Sequence, residues 1–134
     1  MKKKILVDMS CTLIHNGHIE ILKKAHKLGA VIVALTTDNE IKKKKGYAPE
    51  LNYKQRSKIL SSIKYVDRVI SSKWDIDDKY IKKLKIDILV HGKDDSNSAR
   101  NITKKIVNRT KGVSSSQLRY KAYKIYKKLY EKKR

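Results

Sequence analysis

The chain has 134 residues and a formal net charge of +21, with 34 Lys and Arg against 13 Asp and Glu. The length is that of one domain, and a hydrophobic content of 40% predicts a globular core and excludes a disordered chain. No apolar run approaches the roughly 20 residues that a membrane-spanning helix needs, so we predict no membrane span. The short basic N-terminus also lacks the apolar segment of a signal peptide.

The cysteine count and the net charge predict the cellular compartment and the chemical class of the binding partners. The one cysteine, Cys11, cannot form an intramolecular disulfide, so we predict a reducing, cytoplasmic location. The basic charge attracts anions such as nucleic acid, acidic lipid headgroups or small phosphorylated molecules. Most lysines are expected to coat solvated faces. The sequence shows neither a base-reading helix nor an aromatic RNA platform, so nucleic-acid binding is the weaker alternative.

Apolar runs and amphipathic segments alternate along the chain. In chain order the predicted elements are strand 5–9, helix 17–28, strand 30–35, helix 39–44, helix 53–63, strand 67–70, a helix from Asp75 or Asp77 to Leu84, strand 86–90, a short strand 106–107 and a last helix from Ser114 or Ser115 toward Tyr130. In helix 53–63 we expect Ile59, Leu60 and Ile63 to share the buried face. The alternation predicts one α/β domain over 1–134: a parallel sheet of about five strands with helices on both faces, frayed only over about the last five residues.

Two histidines lie between the first strand and the first helix, in the segment His15-Asn16-Gly17-His18. Ligands of parallel sheets bind beyond the carboxyl ends of strands, and a helix N-terminus presents unpaired N–H groups to anions. Gly17 would let the backbone approach a ligand closely. The segment is therefore suited to binding phosphate. The alternative interpretation is that one histidine caps the helix and the other packs in the core, with no ligand. A histidine zinc site lacks a third ligand of convincing spacing.

Three further polar segments follow strands or begin helices. Residues 109–116 combine Arg109, a flexible Gly112 and three serines before the last helix, which suits an oxyanion or merely a polar loop with a serine cap. Residues 42–45 are four lysines, a pattern that is usually just solvated. Residues 91–95 end with Asp94 and Asp95, which could hold a ribose or Mg²⁺ or simply begin a loop.

Taken together, these segments resemble the cytidylyltransferase-type nucleotidyltransferase superfamily. Its marks are H-x-G-H after the first strand and R-T-x-G-[IV]-S-[ST]-[ST] before the last helix, and residues 15–18 and 109–116 match both. The stretch Tyr53-Lys54-Gln55-Arg56 and residues 63–70 resemble a third family pattern. The similarity extends from about Lys4 to Leu118 and implies a Rossmann-like fold.

The resemblance implies transfer of CMP from CTP to a small phosphorylated alcohol, with release of pyrophosphate. Glycerol 3-phosphate is the favoured acceptor. The alternatives are a phosphonate such as 2-aminoethylphosphonate, phosphocholine or phosphoethanolamine, or an adenylyl transfer from ATP by the same superfamily. The attacking phosphate oxygen is already an anion, so no general base is needed and the site must position and stabilise charge. Mg²⁺ and a homodimer are also implied.

The resemblance also implies roles for individual residues. The implied catalytic residues are His15, His18, Lys45 and Arg109. The implied nucleotide contacts are Met9, Ser10, Cys11, His15, Gly17, His18, Asp94, Arg109, Thr110, Gly112, Ser114 and Ser115. The implied acceptor contacts are Lys43, Lys45, Arg56 and Trp74. Asp94 is the one possible metal ligand.

Several positions depart from the family pattern or have a plainer interpretation. Asp8 stands where the family has glycine and Thr12 where it has aspartate, which leaves open an inactive, nucleotide-binding regulator. Cys11 is predicted to be a buried structural thiol, and Trp74 could simply pack. Four tyrosines of the last helix favour a dimer contact or core packing over a stacking platform for nucleic acid: Tyr120, Tyr123, Tyr126 and Tyr130.

Overall fold

A computed structural model describes residues 2–92 and 96–131, and within them the chain forms one five-stranded sheet. The strands are β1 (Lys4–Met9), β2 (Ala30–Thr36), β3 (Arg68–Ser72), β4 (Ile88–His91) and β5 (Thr103–Ile106). Their order across the sheet is β3-β2-β1-β4-β5, and each neighbouring pair is parallel. This order makes the fold a Rossmann-like α/β fold and confirms the prediction.

Helices follow β1, β2, β3 and β5 along the chain, as the alternating sequence pattern predicts, whereas the described residues between β4 and β5 form none. The helices are α1 (Asn16–His26), α2 (Asp38–Lys45), α3 (Tyr53–Ser61), α4 (Asp78–Leu84) and α5 (Ser115–Tyr130). Thr37, Asp77 and Ser114 cap α2, α4 and α5 by accepting a backbone N–H of the first turn. For α4 and α5 the structure thereby selects one of the two starting residues that the sequence allowed.

Hydrophobic cores lie on both faces of the sheet. On one face, Val7 and Val33 pack with Leu22 of α1 and Leu60 of α3. On the other, residues that include Leu6 and Leu89 pack with Ile76 and Ile81. Both faces are buried because successive side chains of a strand point to opposite sides, which explains why β1, β2 and β4 are almost uniformly apolar.

Some predicted bounds and packing assignments are wrong for identifiable reasons. Ile59 is 41% exposed, although its neighbour Leu60 is fully buried, because adjacent helical residues point about 100° apart. Strand β5 lies at 103–106 rather than 106–107, since its largely exposed edge position gives it no apolar run. Core packing of the tyrosines of α5 is also wrong, because their exposure ranges from 53% to 72%.

Helix α5 continues to Tyr130, so most of the predicted fraying falls on residues 132–134, outside the described residues. Among residues 2–92 and 96–131, no helix is both long enough and apolar enough to cross a bilayer.

Candidate active site

A cavity of about 470 Å³ lies at the carboxyl ends of β1 and β4, where the order of strands along the sheet reverses. Its size is that of a small-molecule site. The N-terminal ends of α1 and α5 contribute to its lining. The predicted site residues that line it are Met9, Ser10, Cys11, His15, Gly17, His18, Lys45, Trp74, Arg109, Thr110, Ser114 and Ser115. Residues up to 106 positions apart in the sequence therefore meet in one cavity.

The two histidines form a mutual cap at the start of α1. The Nδ1 atom of His15 accepts the N–H of Gly17 at 3.0 Å, and the Nδ1 atom of His18 accepts the N–H of His15 at 3.1 Å. The ring centroids are 4.0 Å apart. Because each Nδ1 acts as an acceptor, the proton of each neutral ring lies on Nε2. Each ring thus retains an Nε2–H that can donate to a ligand oxygen.

Both rings are held in the neutral form. Burial lowers the pKa of His15 below its ordinary value. Burial and the neighbouring His15 lower the pKa of His18 to about 4, although its hydrogen bond with His15 acts in the opposite direction. At neutral pH the pair therefore offers N–H dipoles rather than positive charges, until an anion approaches and raises these pKa values.

Gly17 is required by the position of the His15 ring. A Cβ atom at position 17 would lie 2.7 Å from Cε1 and 2.9 Å from Nδ1 of His15. Those distances are shorter than van der Waals contact, so any larger residue would displace the imidazole. The glycine of the H-x-G-H pattern is therefore explained by the close approach of a side chain, within helix α1.

The N-terminus of α5 forms the opposite wall. The Oγ atom of Ser114 accepts the N–H of Gln117 at 3.0 Å, which leaves its own hydroxyl proton for another acceptor. Ser115 instead donates its hydroxyl to the carbonyl of Leu13 at 3.0 Å and so fastens α5 to the loop before α1. The first N–H groups of α5 and the side chain of Arg109 supply the positive character of this wall.

Lys45 and Trp74 lie together at another part of the cavity. The Nζ atom of Lys45 is 5.8 Å from the centre of the Trp74 ring. Burial, Arg119 and Arg109 lower the pKa of Lys45, in that order of size, and Glu50 opposes them. An anion bound here would contact the partly buried ammonium of Lys45 next to the face of the Trp74 ring.

Three of the predicted contacts do not line the cavity among the described residues. Gly112 forms the turn before α5, with a left-handed φ of 81°. The side chain of Lys43 is 77% exposed and is paired with Glu40 at 3.6 Å. It faces away because it lies two residues, or about 200°, from Lys45 around α2. Arg56 is the third and differs most from its predicted role.

Arg56 is fully buried and binds the protein itself. Its guanidinium donates to the carbonyls of Ser10 at 2.7 Å, Thr36 at 2.9 Å and Leu51 at 3.0 Å, and to the Asp38 carboxylate at 2.6 Å. It therefore holds the ends of β1 and β2 together under the site. The geometry assigns it a positioning role and gives no support to direct contact with an acceptor.

Cys11 is a buried thiol, as predicted from the sequence. It is 2% exposed, and burial raises its pKa to about 12, so it carries no thiolate at neutral pH. Its backbone adopts a left-handed φ of 51°, which is uncommon for a residue other than glycine. The strained turn after β1 directs the chain toward His15.

The cavity floor contains polar residues whose role the motifs did not predict. Asp8 accepts a hydrogen bond from Asn97 at 2.9 Å, and Asn97 in turn accepts the N–H of Ile76 at 2.9 Å. His91 lies beside Asp8, at the end of the neighbouring strand, and both line the cavity. Their position at the carboxyl ends of parallel strands is the signal in the sequence that could have identified them. The predicted contact Asp94 lies outside the described residues.

The arrangement suits a large anion. Two helix N-termini, two imidazole Nε2–H donors, Arg109 and Lys45 surround the same space. Within residues 2–92 and 96–131, no three His, Cys, Asp or Glu side chains cluster as metal ligands. A Mg²⁺ ion that is bound through triphosphate oxygens and water needs few protein ligands, so these residues are compatible with a magnesium–nucleotide complex.

Comparisons with known proteins agree with this geometry. The sequence profile of the cytidylyltransferase-like family matches residues 12–129. Glycerol-3-phosphate cytidylyltransferase of Staphylococcus aureus is 36% identical over 129 residues, covering 90% of this chain and 96% of the relative. An FAD synthase of Pyrococcus horikoshii is 33% identical, covering 95% of this chain and 84% of the relative.

A solved structure has a similar fold. The lipopolysaccharide core biosynthesis protein from Thermoplasma volcanium superposes with a TM-score of 0.68 at 26% sequence identity. The alignment covers 84% of this chain and all of the other chain.

Proposed function

The chain belongs to the cytidylyltransferase-like family and is a nucleotidyltransferase, and on that premise we propose that it transfers CMP from CTP to a small phosphorylated alcohol. Glycerol 3-phosphate is the acceptor we favour, because the S. aureus relative named for that substrate matches along nearly its whole length. The observation that carries the proposal is the convergence of His15, His18 and Arg109 with the N-termini of α1 and α5 on one cavity.

In the proposed reaction, an oxygen of the acceptor phosphate attacks the α-phosphorus of CTP. A bond forms between that oxygen and the phosphorus, and the bond to the oxygen that bridges to the β-phosphate breaks. Pyrophosphate leaves with the electron pair. The attacking oxygen is already an anion, so the protein supplies position and charge stabilisation and no general base.

The protein groups divide this work between them. The Nε2–H groups of His15 and His18 donate to oxygens on the α-phosphorus. These hydrogen bonds stabilise the negative charge of the transition state, while the bond to the acceptor forms and the bond to the leaving group breaks. Arg109 and the first N–H groups of α5 bind the β- and γ-phosphates, which become the leaving group. Lys45, beside Trp74, binds the acceptor phosphate. A Mg²⁺ ion bound with CTP would screen the charge of the triphosphate.

The alternative nucleotide is ATP. The P. horikoshii relative is named for the synthesis of an adenine dinucleotide, and its match covers 95% of this chain, against 90% for the cytidylyltransferase. The alternative acceptors are a phosphonate such as 2-aminoethylphosphonate, phosphocholine and phosphoethanolamine. A direct comparison of CTP with ATP separates the two nucleotide hypotheses.

We also propose that the protein is a homodimer in the cytoplasm. Support comes from α5, where Ile125, Tyr126, Leu129 and Tyr130 repeat at a spacing of four and are each more than half exposed. A second copy could cover this stripe through a symmetric contact. Light scattering on wild type and on a Tyr126→Lys/Leu129→Lys variant tests it, with a dimer expected for the first and a monomer for the second.

Pyrophosphate release tests the reaction. Purified protein with Mg²⁺ receives CTP or ATP against glycerol 3-phosphate, phosphocholine, phosphoethanolamine, 2-aminoethylphosphonate and sugar phosphates. We expect turnover with CTP and glycerol 3-phosphate, and a loss of about 10²–10³-fold in His18→Ala. His26→Ala is the matched control, because His26 is on the same helix but outside the cavity lining. No turnover and no nucleotide binding would overturn the proposal.

A further inference from the structure

Lys45 and Arg119 are two cations that lie near one carboxylate, Glu50. Arg119 holds that carboxylate through both oxygens: its Nη2 atom is 2.8 Å from Oε1, and its Nε atom donates to Oε2. The Arg119 guanidinium also lies 4.8 Å from the centre of the Tyr47 ring. Lys45 forms no ion pair with any described residue and instead lines the cavity.

The charges of Glu50 and Arg119 act on Lys45 in opposite directions, since the carboxylate raises its pKa and the guanidinium lowers it. Glu50 lies only five residues after Lys45, across a turn at Gly46 whose left-handed φ is 81° and around which the structure leaves open space. Among the described residues, Lys45 is the cation besides Arg119 whose charge lowers the pKa of Glu50.

Arg119 also contacts the other side of the site. Its Nη2 atom donates to the Thr12 hydroxyl at 3.2 Å, and Thr12 is a buried residue of the loop that leads to His15. Through one side chain, α5 is thus joined to the loop before α1 and to the loop after α2. Arg119 does not line the cavity among the described residues, so it acts through its neighbours.

We infer that Arg119 is a positioning residue, which keeps Glu50 occupied so that the Lys45 ammonium remains available to a substrate phosphate. The bidentate geometry of a guanidinium on a carboxylate favours Arg119 over Lys45 as the partner of Glu50. Only the identity of the group that Lys45 binds rests on the proposed function. The inferred competition of Arg119 and Lys45 for Glu50 concerns the free protein.

A double-variant cycle tests the inference through kinetics. In Arg119→Met the released Glu50 should draw Lys45 away, which raises the acceptor KM about tenfold and leaves kcat within about twofold. Glu50→Gln should keep KM within about twofold of wild type. The decisive variant is Arg119→Met/Glu50→Gln, where removal of the competitor should restore KM to within about threefold. A double variant as impaired as Arg119→Met would overturn the inference.

A second readout does not depend on turnover. Acetylation of Lys45 by an activated acetate ester, followed by peptide mass spectrometry at several pH values, measures how readily the amine loses its proton. Lys45 should react most slowly in Arg119→Met, fastest in Glu50→Gln, and at similar rates in wild type and the double variant. A wild type that releases no pyrophosphate would refute the proposed function and leave this order standing. Equal rates in all four proteins would refute the role of Arg119.

Discussion

The backbone N–H of His15 donates to the Nδ1 atom of His18 over 3.1 Å, so the first histidine of the site holds the ring of the second in one tautomer. The pair caps α1 reciprocally, as a serine and a glutamate do in many helices. The same two residues therefore begin the helix and direct Nε2–H donors to the cavity. The spacing of three residues between the histidines thus serves both the capping of α1 and the orientation of the ligand-binding donors.

The first prediction concerns the stability of the protein in acid. Burial and the neighbouring His15 lower the pKa of His18 to about 4 in the folded protein, from its ordinary 6.5 in the unfolded chain. Between these values the unfolded chain binds more protons, so stability falls as pH falls from 6.5 toward 4, by up to about 3 kcal/mol. Urea unfolding at several pH values should show this loss, and His18→Gln, which can still accept the His15 N–H, should show much less of it. An equal loss in His18→Gln would contradict the titration of His18.

The second prediction concerns Gly17→Ala. The added methyl group would overlap the His15 ring, so the imidazole must move while the helix gains up to about 1 kcal/mol of intrinsic propensity. We expect kcat/KM for the nucleotide to fall about 10²-fold, with no loss of thermal stability. His15→Ala and the double variant should then be nearly as active as each other. A Gly17→Ala enzyme with wild-type kinetics would show that the ring has no fixed role.

The third prediction compares two lysines of one helix. Lys45→Ala should reduce kcat/KM for the acceptor about 10–100-fold, because a charged hydrogen bond to phosphate is lost. Lys43→Ala should change it less than about twofold, since Lys43 is exposed and paired with Glu40. Both variants remove one positive charge, so the general field of the protein changes equally. Equal effects would assign the lysines to long-range attraction rather than to contact.

The fourth prediction concerns Arg56. Arg56→Met removes the guanidinium from three backbone carbonyls and from the Asp38 carboxylate, which keeps only the Tyr53 N–H, and this should cost about 3–5 kcal/mol of unfolding free energy. Lys54→Met, at an exposed position of the same helix, should stay within about 0.5 kcal/mol of wild type. Urea denaturation measures both. A stable Arg56→Met variant with raised acceptor KM would instead restore the role that the sequence motif implied.

Much of the fold could be predicted because it depends on local patterns. Uniformly apolar runs indicate the strands that are buried on both faces, and Thr37, Asp77 and Ser114 act as caps through neighbours three residues away. The predicted bounds of the edge strand β5 were wrong because a largely exposed strand has no apolar run, and Ile59 was wrongly assigned to the buried face because it is apolar. The alternation of elements was sufficient to indicate that the site lies at strand ends.

The sequence by itself determined the order of strands and helices, the motifs after β1 and before α5, and the type of chemistry they suit. Only the tertiary structure decided that Arg56 supports the site from below, that Lys45 and not Lys43 faces the cavity, and that Arg119 holds Glu50. The reason is distance along the chain: Arg56 and Ser10 are 46 positions apart, and Arg119 and Glu50 are 69 apart. No local pattern records such contacts, because they exist only once the packed sheet brings its connections together.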